Sequence, residues 1–405
     1  MPLSISASEG GGPMQRIKQG FVLLLGLLAA LFLLVTYLGR REEISKFEYR
    51  TLAAHPEFSK ESLLDGSYFR GWDEYISDHT AFRDGMMRSY LWLRLHVKKQ
   101  LLVNDIIISE ESLLPYLGEK SFGSDDYAAL GRDAVERLEP IRQAVEAYGG
   151  HLLYYGIEGQ SVVFRDGYPP YLHTHVDYYE NCAAAFRAAL AEAGFSTLYA
   201  HDVFTADGGS PKRYYARVDH HYNFLGAYKS YEAICLWCRE QGMEIPIVEQ
   251  ERLQIHPSEA PFYGAYSRKL YGLSPIEEPL LIFDASVLPS YQRWDNGEQT
   301  DAPLLQLPEE GAPIYYAAYM GGDMGETVIQ TDRPELPSIL IVGDSYTNPV
   351  EALCVGSFNE IRSLDFRHYD QMTLTEYLES YPADLVLILR DSLNYVIPGG
   401  NGDLK

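Results

Sequence analysis

The chain has 405 residues, of which 46% are hydrophobic and 22% are charged, a composition typical of a folded globular protein. Its formal net charge is −24, and residues 1–41 carry four basic side chains against one acidic side chain, so the remainder is strongly acidic. Because an acidic domain repels phosphate backbones, these values argue against nucleic-acid binding.

The first predicted element is a transmembrane helix at residues 19–39, an uncharged stretch of 21 residues. At about 1.5 Å of rise per residue, this stretch spans roughly 30 Å, the thickness of a bilayer's hydrocarbon core. No small-residue cleavage site follows it, which favours an uncleaved signal anchor. Basic residues flank both ends, and the short basic tail at 1–18 favours a cytoplasmic N-terminus. We therefore predict a single-pass cell-membrane protein with an extracytoplasmic C-terminal domain.

The rest of the chain is predicted to form one large α/β domain. Residues 40–60 show little periodicity and are expected to be a tether, and residues 61–400 are expected to form the domain. From about residue 127, amphipathic helices alternate with short apolar strands, which is typical of a parallel sheet with helices on both faces. Residues 245–335 lack this alternation and contain many Pro and Gly residues, so a loop-rich insertion is predicted there.

The four cysteines are too few for a disulfide framework in a chain of this length. Cys235 and Cys238 have the spacing of a redox or zinc motif, but the surrounding sequence YEAICLWCREQ has a helical pattern without the strand and turn of such a motif. Buried small residues are the favoured interpretation. The sequence leaves open whether these two cysteines form a disulfide.

The strongest local signal is ILIVGDSYTNP, in which an apolar run ends in Gly343, Asp344 and Ser345. This pattern predicts a serine at the carboxyl end of a strand, where the chain turns into a helix and where open α/β sheets bind ligands. Backbone N–H groups at the start of that helix would stabilise an oxyanion formed beside the serine. The alternative is a turn in which Asp344 or Ser345 only caps the helix.

A second signal is YYARVDHHYNF, which contains Asp219, His220 and His221. A nucleophilic serine needs a base, and the base benefits from an orienting carboxylate. Residues i and i+2 of an extended segment point the same way, so Asp219 and His221 are expected to share one rim of a cleft while His220 faces elsewhere. Two alternatives stay open. Asp-His-His is also a metal site in phosphoesterases, although their further Asp clusters and upstream His are missing here, and Asp219 could simply cap the following helix.

These stretches together resemble the DHHW family, which is related to the alginate O-acetyltransferase proteins and their SGNH-hydrolase-like domain. VDHHYNFLGAY resembles the signature of that family, with Tyr222 where Trp is usual. LLDGSYFRGWDEYISDHTAFRDGM, YGAYSRKL, YMGGDMGE and SLDFRHYD resemble its other blocks, so the likeness runs from about residue 58 to 390. The GIEGQ turn and His368 depart from the family pattern. The resemblance implies a parallel-sheet SGNH-hydrolase-like fold.

By matching positions, the resemblance implies Ser345 as the nucleophile, His221 as the general base and Asp219 as the residue that orients the base. The implied activity is a two-step transfer of an acetyl group to a hydroxyl of a cell-surface or exported polysaccharide, without a cofactor or a metal. A multi-spanning membrane acyltransferase is the implied donor partner. An acetyl esterase with the same three residues and a non-catalytic polysaccharide-binding assembly component are the alternatives.

Weaker candidates are expected to line the acceptor or acyl pocket: His220, Tyr319, Asp323, Tyr346 and Arg367. For Arg367, a salt bridge with Asp365 or Asp370 is the alternative to a ligand contact.

Overall fold

The computed structural model describes residues 13–39, 43–45, 47–48, 50–118 and 123–391. It divides the chain into two compact units, residues 1–98 (unit 1) and 99–405 (unit 2). Of the predicted cytoplasmic tail, residues 1–12 lie outside the described residues, as do parts of the predicted tether and the last residues of the predicted domain.

Unit 1 begins with helix α1, Pro13–Leu38. Its segment Met14–Leu38 has a mean hydropathy of 2.7 and no buried residue, and it is the one helix among the described residues that is long and apolar enough to cross a membrane. An exposed apolar helix of this length needs an apolar environment. The predicted N-terminal apolar helix is therefore present, with the properties of a membrane anchor or a signal sequence.

The rest of unit 1 is a short hairpin followed by helices. Strands β1 (Ile44–Ser45) and β2 (Arg50–Thr51) pair antiparallel within the predicted tether. The helices are α2 (Lys60–Leu64), α3 (Ser67–His79) and α4 (Arg83–Trp92), which continues as a π-helical turn at Leu93–Val97. The end of α3 bonds back to the chain before it, since the Ala53 N–H donates to Asp78 Oδ2 at 2.8 Å.

Unit 2 is an α/β structure built on one large sheet. Its strands are β3 Leu102–Val103, β4 Ile106–Ile108, β5 Leu113–Pro115, β6 His151–Ile157, β7 Thr197–Tyr199, β8 His256–Pro257, β9 Leu281–Ile282, β10 Gln292–Asp295, β11 Glu298–Thr300, β12 Glu326–Gln330, β13 Ile339–Gly343, β14 Glu360–Leu364 and β15 Leu385–Asp391. Its helices are α5 Ser124–Ala147, α6 Gln160–Val163, α7 His173–Glu192, α8 Ala200–Ala206, α9 Phe224–Glu240, α10 Ala265–Lys269, α11 Asn348–Cys354 and α12 Leu374–Ser380.

The large sheet has the order β11-β10-β12-β14-β13-β15-β6-β7. Strands β14, β13, β15, β6 and β7 are parallel, and every residue of the central strand β13 is buried. Continuous apolar strands of this kind are expected where a sheet is covered on both faces. Strands β3–β5 form a separate small antiparallel sheet, and β8 pairs with β9.

Helices cover both faces of the parallel strands, as the alternation in the sequence predicts. On one face, α5, α7 and α12 bury a core that includes Tyr154, Leu340, Val342 and Ile388. On the other face, α9 lies beneath the sheet, since the Tyr155 hydroxyl donates to Ser230 Oγ at 2.8 Å. Neighbouring residues of one strand point to opposite faces, so Tyr154 packs on the face covered by α5, α7 and α12, and Tyr155 on the face covered by α9. The predicted α/β fold class is confirmed.

The sheet is mostly parallel, and its antiparallel part comes from three further strands. Strands β10, β11 and β12 come from the region predicted as loops and extend the sheet antiparallel beside β14. A two-residue turn at Asn296 and Gly297, both with positive φ (49° and 82°), joins β10 to β11. Asn-Gly is the preferred pair for such a turn, because both positions need left-handed backbone. This local signal was present in the sequence but was masked by the surrounding Pro and Gly residues.

The four cysteines are all buried, and none forms a disulfide. Cys235 and Cys238 lie on the inner side of α9. They are structural residues of the core, as the helical pattern indicates.

Candidate active site

Ser345 lies two residues after the end of β13, at the carboxyl edge of the parallel strands, and α11 begins three residues later. Gly343 permits the approach of the neighbouring strand, because a Cβ there would lie 2.3 Å from the Leu389 carbonyl oxygen and 2.4 Å from a Thr347 methyl carbon. The predicted position of the serine, between a central strand and a helix, is therefore the observed one.

Asp219 and His221 lie in a short turn that leads into α9. An isolated antiparallel bridge joins Tyr215 to Tyr222, and the Ala216 N–H donates to the His221 carbonyl oxygen at 3.0 Å. Asn223 then caps α9 by accepting the Gly226 N–H. The turn brings the acid and the imidazole to the edge of the sheet where Ser345 lies.

The three residues form one continuous chain of hydrogen bonds. His221 Nε2 lies 2.6 Å from Ser345 Oγ, and His221 Nδ1 lies 2.6 Å from Asp219 Oδ1. Asp219 and His221 are 2% and 4% exposed. An ionised carboxylate only accepts hydrogen bonds, so Nδ1 carries the proton and Nε2 is left to accept from the serine hydroxyl. The structure brings together two stretches of chain that are more than 120 residues apart.

Asp219 is held ionised in this buried position. The Ala265 N–H donates to its Oδ2 at 2.6 Å and the His221 N–H to its Oδ1 at 3.1 Å. Burial alone would raise its pKa, but the neighbouring histidines and these donors hold the pKa of Asp219 well below its usual range. Gly264 makes the Ala265 contact feasible, because a Cβ at residue 264 would lie 2.5 Å from the Val218 carbonyl oxygen. Sequence reasoning had missed this support.

Tyr316 is a second contributor that the sequence did not reveal. Its ring stacks on His221 with 3.8 Å between centroids and an interplanar angle of 3°, and the Tyr346 ring meets the same imidazole at 4.8 Å and 62°. Tyr316 is 6% exposed, and its hydroxyl has no hydrogen-bond partner among the described residues. The two rings leave the imidazole little room to rotate away from Ser345. No motif around Tyr316 marks it in the sequence.

The predicted pocket residue Tyr346 instead ties the two halves of the site together. Its hydroxyl donates to the His220 carbonyl oxygen at 2.5 Å, and the Tyr222 hydroxyl donates to the Tyr346 carbonyl oxygen. Both tyrosines are buried, and burial raises the pKa of each. Tyr222, which stands where the family has Trp, thus uses its hydroxyl to fix the serine turn.

The side chain of His220 is 44% exposed, but it does not face away from the other two residues, because its Nδ1 lies 3.5 Å from Asp219 Oδ1 and its ring centroid lies 3.8 Å from that of His221. The ligand atoms of Asp219, His220 and His221 lie within 4.8 Å of one another, so distance alone would permit a metal ion. Both nitrogens of His221 already face partners, Asp219 and Ser345. A metal held there would have to break one of these hydrogen bonds.

Two of the remaining predicted pocket residues form an ion-pair cluster. Arg367 Nη2 lies 2.6 Å from Asp323 Oδ2 and 2.5 Å from Asp365 Oδ2, and Asp323 Oδ1 also accepts from Asn348 Nδ2 at 3.0 Å. The salt bridge with Asp365 that was the alternative for Arg367 is present. Asn348, at the start of α11, was not predicted and connects this cluster to the serine turn.

Tyr319 requires a correction. It is fully buried, its hydroxyl donates to the Leu281 carbonyl oxygen, and its ring packs edge-on against Tyr316 at 5.0 Å. It therefore supports the residue that stacks on His221 rather than lining an open pocket.

Buried carboxyls support the serine turn from below. Glu351 Oε1 accepts from Ser363 Oγ at 2.6 Å and from the Thr347 hydroxyl, and Asp344 Oδ2 lies 3.8 Å from Arg390 Nε. Burial raises the pKa of both Glu351 and Asp344. Within the described residues, the Tyr346 and Thr347 amides bond to Asp344, whereas the Ser345 amide donates to no protein acceptor.

No family model and no curated protein matches the sequence. Among solved structures, two of Bacillus cereus PatB1, one with a sulfonyl adduct, align with a TM-score of 0.61 at 17% and 18% identity, over 74% of this chain and 98% and 99% of theirs. A DHHW family protein from Eubacterium siraeum aligns with a TM-score of 0.54 at 15% identity, over 75% of this chain and 95% of its own. The O-acetyltransferase domain of Pseudomonas putida AlgJ aligns at 14% identity with a TM-score of 0.41. The chain thus has the fold of PatB1 and of a DHHW family protein, at low sequence identity.

Proposed function

We propose that this protein is a membrane-anchored O-acyltransferase that moves an acetyl group onto a hydroxyl of a cell-surface or exported polysaccharide. The observation that carries the proposal is the hydrogen-bonded chain Asp219–His221–Ser345, with 2.6 Å at both of its links to the imidazole. A nucleophile, a base and an orienting acid at such distances are the parts that serine acyl transfer needs.

In the first step, His221 Nε2 takes the proton from Ser345 Oγ as the oxygen attacks the carbonyl carbon of an acyl donor. The unengaged Ser345 amide is placed to donate to the oxyanion of the tetrahedral intermediate. His221 then gives its proton to the leaving group, and the acetyl ester of Ser345 remains. Asp219 stays ionised and stabilises the imidazolium that forms between these two proton transfers.

In the second step, His221 takes the proton of an acceptor hydroxyl, which attacks the acyl-enzyme. Collapse of the second intermediate releases the acetylated acceptor and returns the proton to Ser345. Hydrolysis of the acyl-enzyme by water would make the same residues an esterase. Transfer therefore depends on how well bound acceptor excludes water.

Helix α1 is proposed as the anchor, with the chain's basic N-terminus in the cytoplasm and unit 2 outside. An acyl group made in the cytoplasm must then cross the membrane, so a multi-spanning membrane acyltransferase is the proposed donor partner. The acetyl group, the polysaccharide and this partner follow from the resemblance to the DHHW and alginate O-acetyltransferase proteins.

The test uses the purified full chain in detergent with a chromogenic acetyl ester, with and without an oligosaccharide acceptor. We expect ester consumption that accelerates with acceptor and yields acetylated oligosaccharide, detected by mass spectrometry. Consumption that ignores the acceptor and gives only acetate would assign the esterase activity. No consumption of any acetyl ester, by protein that is folded, would contradict both enzymatic activities and favour a binding component.

A further inference from the structure

Helix α4 and its π-helical continuation expose an apolar stripe on unit 1. The stripe consists of five side chains that are 73%, 48%, 53%, 40% and 58% exposed: Phe82, Met86, Tyr90, Leu93 and Val97. They recur at intervals of four, four, three and four residues, which places them on one side of a helix. Leu91, on the opposite side of the helix, is fully buried. A contiguous exposed apolar stripe of this kind marks a contact surface.

The same segment is basic within an otherwise acidic chain. Residues 82–98 contain one acidic side chain, Asp84, and four basic side chains, whereas the whole chain has a formal charge of −24. The basic residues are Arg83, Arg88, Arg94 and Lys98. A helix that combines an apolar stripe with flanking basic residues has the pattern of helices that lie on anionic membrane surfaces.

The stripe begins beside the end of the apolar helix α1. The Ala81 N–H donates to Thr36 Oγ1 at 3.1 Å, and Thr36 lies two residues before α1 ends. Val35 of α1, Gly39 and the turn at residues 78–85 line one cleft of about 340 Å³. If α1 crosses a bilayer, this bond places the start of the stripe at the level where the hydrocarbon core meets the head groups.

Ion pairs hold the turn that carries Phe82. Arg50 forms a bidentate pair with Asp78, with 2.8 Å from Nη1 to Oδ2 and 2.5 Å from Nη2 to Oδ1. Arg83 Nη2 lies 2.6 Å from Glu48 Oε1. Phe82 itself has a φ of 61°, a left-handed conformation that is rare for a residue with a bulky side chain. A large exposed ring held in a strained conformation is expected where the ring makes a contact.

We propose that the stripe on α4 lies in the head-group region of an anionic lipid bilayer, beside the point where α1 leaves the membrane. The apolar side chains enter the boundary of the acyl chains, and the basic side chains of Arg88, Arg94 and Lys98 contact acidic lipid head groups. The chain is thereby attached at two places, a membrane span and an interfacial helix. This inference rests on the proposed anchoring by α1 and is independent of acyl transfer.

The four native cysteines are at most 1% exposed, so a single introduced cysteine can be labelled selectively with a nitroxide. The variants are Met86→Cys, Tyr90→Cys and Val97→Cys in the full chain, with Glu136→Cys on α5 as an exposed polar control. Each is reconstituted in phosphatidylcholine vesicles with and without phosphatidylglycerol. Collision of the label with oxygen, which concentrates in lipid, is compared with its collision with a water-soluble nickel chelate.

With phosphatidylglycerol, the ratio of oxygen to nickel collisions is expected to be severalfold higher at the three stripe positions than at Glu136→Cys. At the same three positions, the ratio in phosphatidylcholine alone is expected to be lower than the ratio with phosphatidylglycerol. A water-like ratio at the stripe positions would overturn the proposal. Shielding from both reagents would also overturn it, because a partner protein or a second copy of this chain would then cover the stripe. A label at Leu28→Cys in α1 shows whether α1 itself lies in the bilayer. If Leu28→Cys is exposed to lipid and the stripe to water, only the interfacial position of α4 is rejected. If both are exposed to water, anchoring by α1 is rejected as well.

Discussion

The two sides of the candidate active site are built in different ways. Ser345 follows a strand whose five residues are all buried, and it precedes a helix whose seven residues are all buried, so the surrounding backbone has one geometry available. Asp219 and His221 lie in a turn without regular structure, held by separate contacts to Ala265, Tyr316 and Tyr346. The parallel sheet therefore fixes the nucleophile, whereas individual side chains and amides fix the base.

This difference predicts how each side responds to substitution. Changes to the chemistry of the three central residues are expected to abolish turnover whichever side they lie on. Changes to supporting residues are expected to lower activity when they support the base and to change stability when they support the serine turn.

The largest effect is expected from Ser345→Ala. Without the hydroxyl no acyl-enzyme forms, and turnover of an acetyl ester is expected to fall on the order of 10⁴-fold or more. Among the residues that the structure describes, the serine side chain bonds only to His221, so the melting temperature should stay close to that of the wild type. Turnover and thermal unfolding are measured on the same preparation. Retained turnover would remove Ser345 from the mechanism.

Asp219→Asn is expected to lower turnover on the order of 10³- to 10⁴-fold, by analogy with the Asp of other serine triads. The carboxylate accepts from His221 on one oxygen and from the Ala265 N–H on the other. The amide of Asn has only one acceptor oxygen, so its NH₂ group must face one of these two donors. Facing His221, it favours the tautomer with the proton on Nε2; facing Ala265, it repels the backbone N–H and displaces the turn. Asp202→Asn, an exposed partner of Arg187, is the control and should retain full turnover. A loss in Asp219→Asn no larger than in this control would contradict the assigned role.

Tyr316→Leu tests whether stacked rings position the base. Removing the stacking on His221 is expected to lower kcat roughly 2- to 10-fold, the equivalent of about 0.5–1.5 kcal/mol, with KM for a small ester nearly unchanged. Tyr316→Phe keeps the ring and should retain most of the rate. Equal loss in both variants would show that the hydroxyl, rather than the ring, is what matters.

The smallest effect is expected in the pH dependence of stability. Because burial raises the pKa of Glu351, its stabilising contribution is fully present below the unfolded pKa and is lost as pH rises through the folded pKa. Glu351→Gln cannot ionise, so its melting temperature relative to the wild type should increase across that window. The expected gain is about 1.4 kcal/mol for each unit by which folding raises the pKa.

The control for this series has the opposite sign. Glu376 caps α12, and the Thr373 backbone N–H lowers its pKa, so its contribution is present above the unfolded pKa and is lost as pH falls. Glu376→Gln should therefore lose stability relative to the wild type as pH rises. Parallel behaviour of the two variants would contradict a raised pKa for the buried Glu351.

Much of the fold could be predicted because its signals are local. The apolar run before Gly343 and the helices ending in glycine predict parallel strands with helices on both faces, and α1 follows from composition alone. The antiparallel strands β10–β12 escaped prediction, since they are short, partly polar and separated by irregular chain. The Asn296-Gly297 turn marks only the hairpin of β10 and β11, whereas β10 pairs with β12 through residues more than 25 positions away.

The candidate site divides in the same way. Ser345, His221 and Asp219 could be found because each lies in a short motif whose residue types have a known chemical use. Tyr316, Ala265 and Asn348 could not, because their contributions are a ring face, a backbone N–H and a side-chain amide that meet the motif only in the folded chain. Tyr319 was misplaced for the converse reason, since the sequence does not show which tyrosine of YYAAYM faces the imidazole.

The most direct test of the central claim is covalent labelling of the full chain with phenylmethanesulfonyl fluoride, a sulfonyl reagent that reacts with activated serines. We predict one sulfonyl group per chain, located at Ser345 by tandem mass spectrometry, and much slower labelling in His221→Ala. Labelling of Ser345 that is equally fast without His221, or a reactive residue elsewhere while Ser345 stays unmodified, would contradict the claim that His221 activates Ser345.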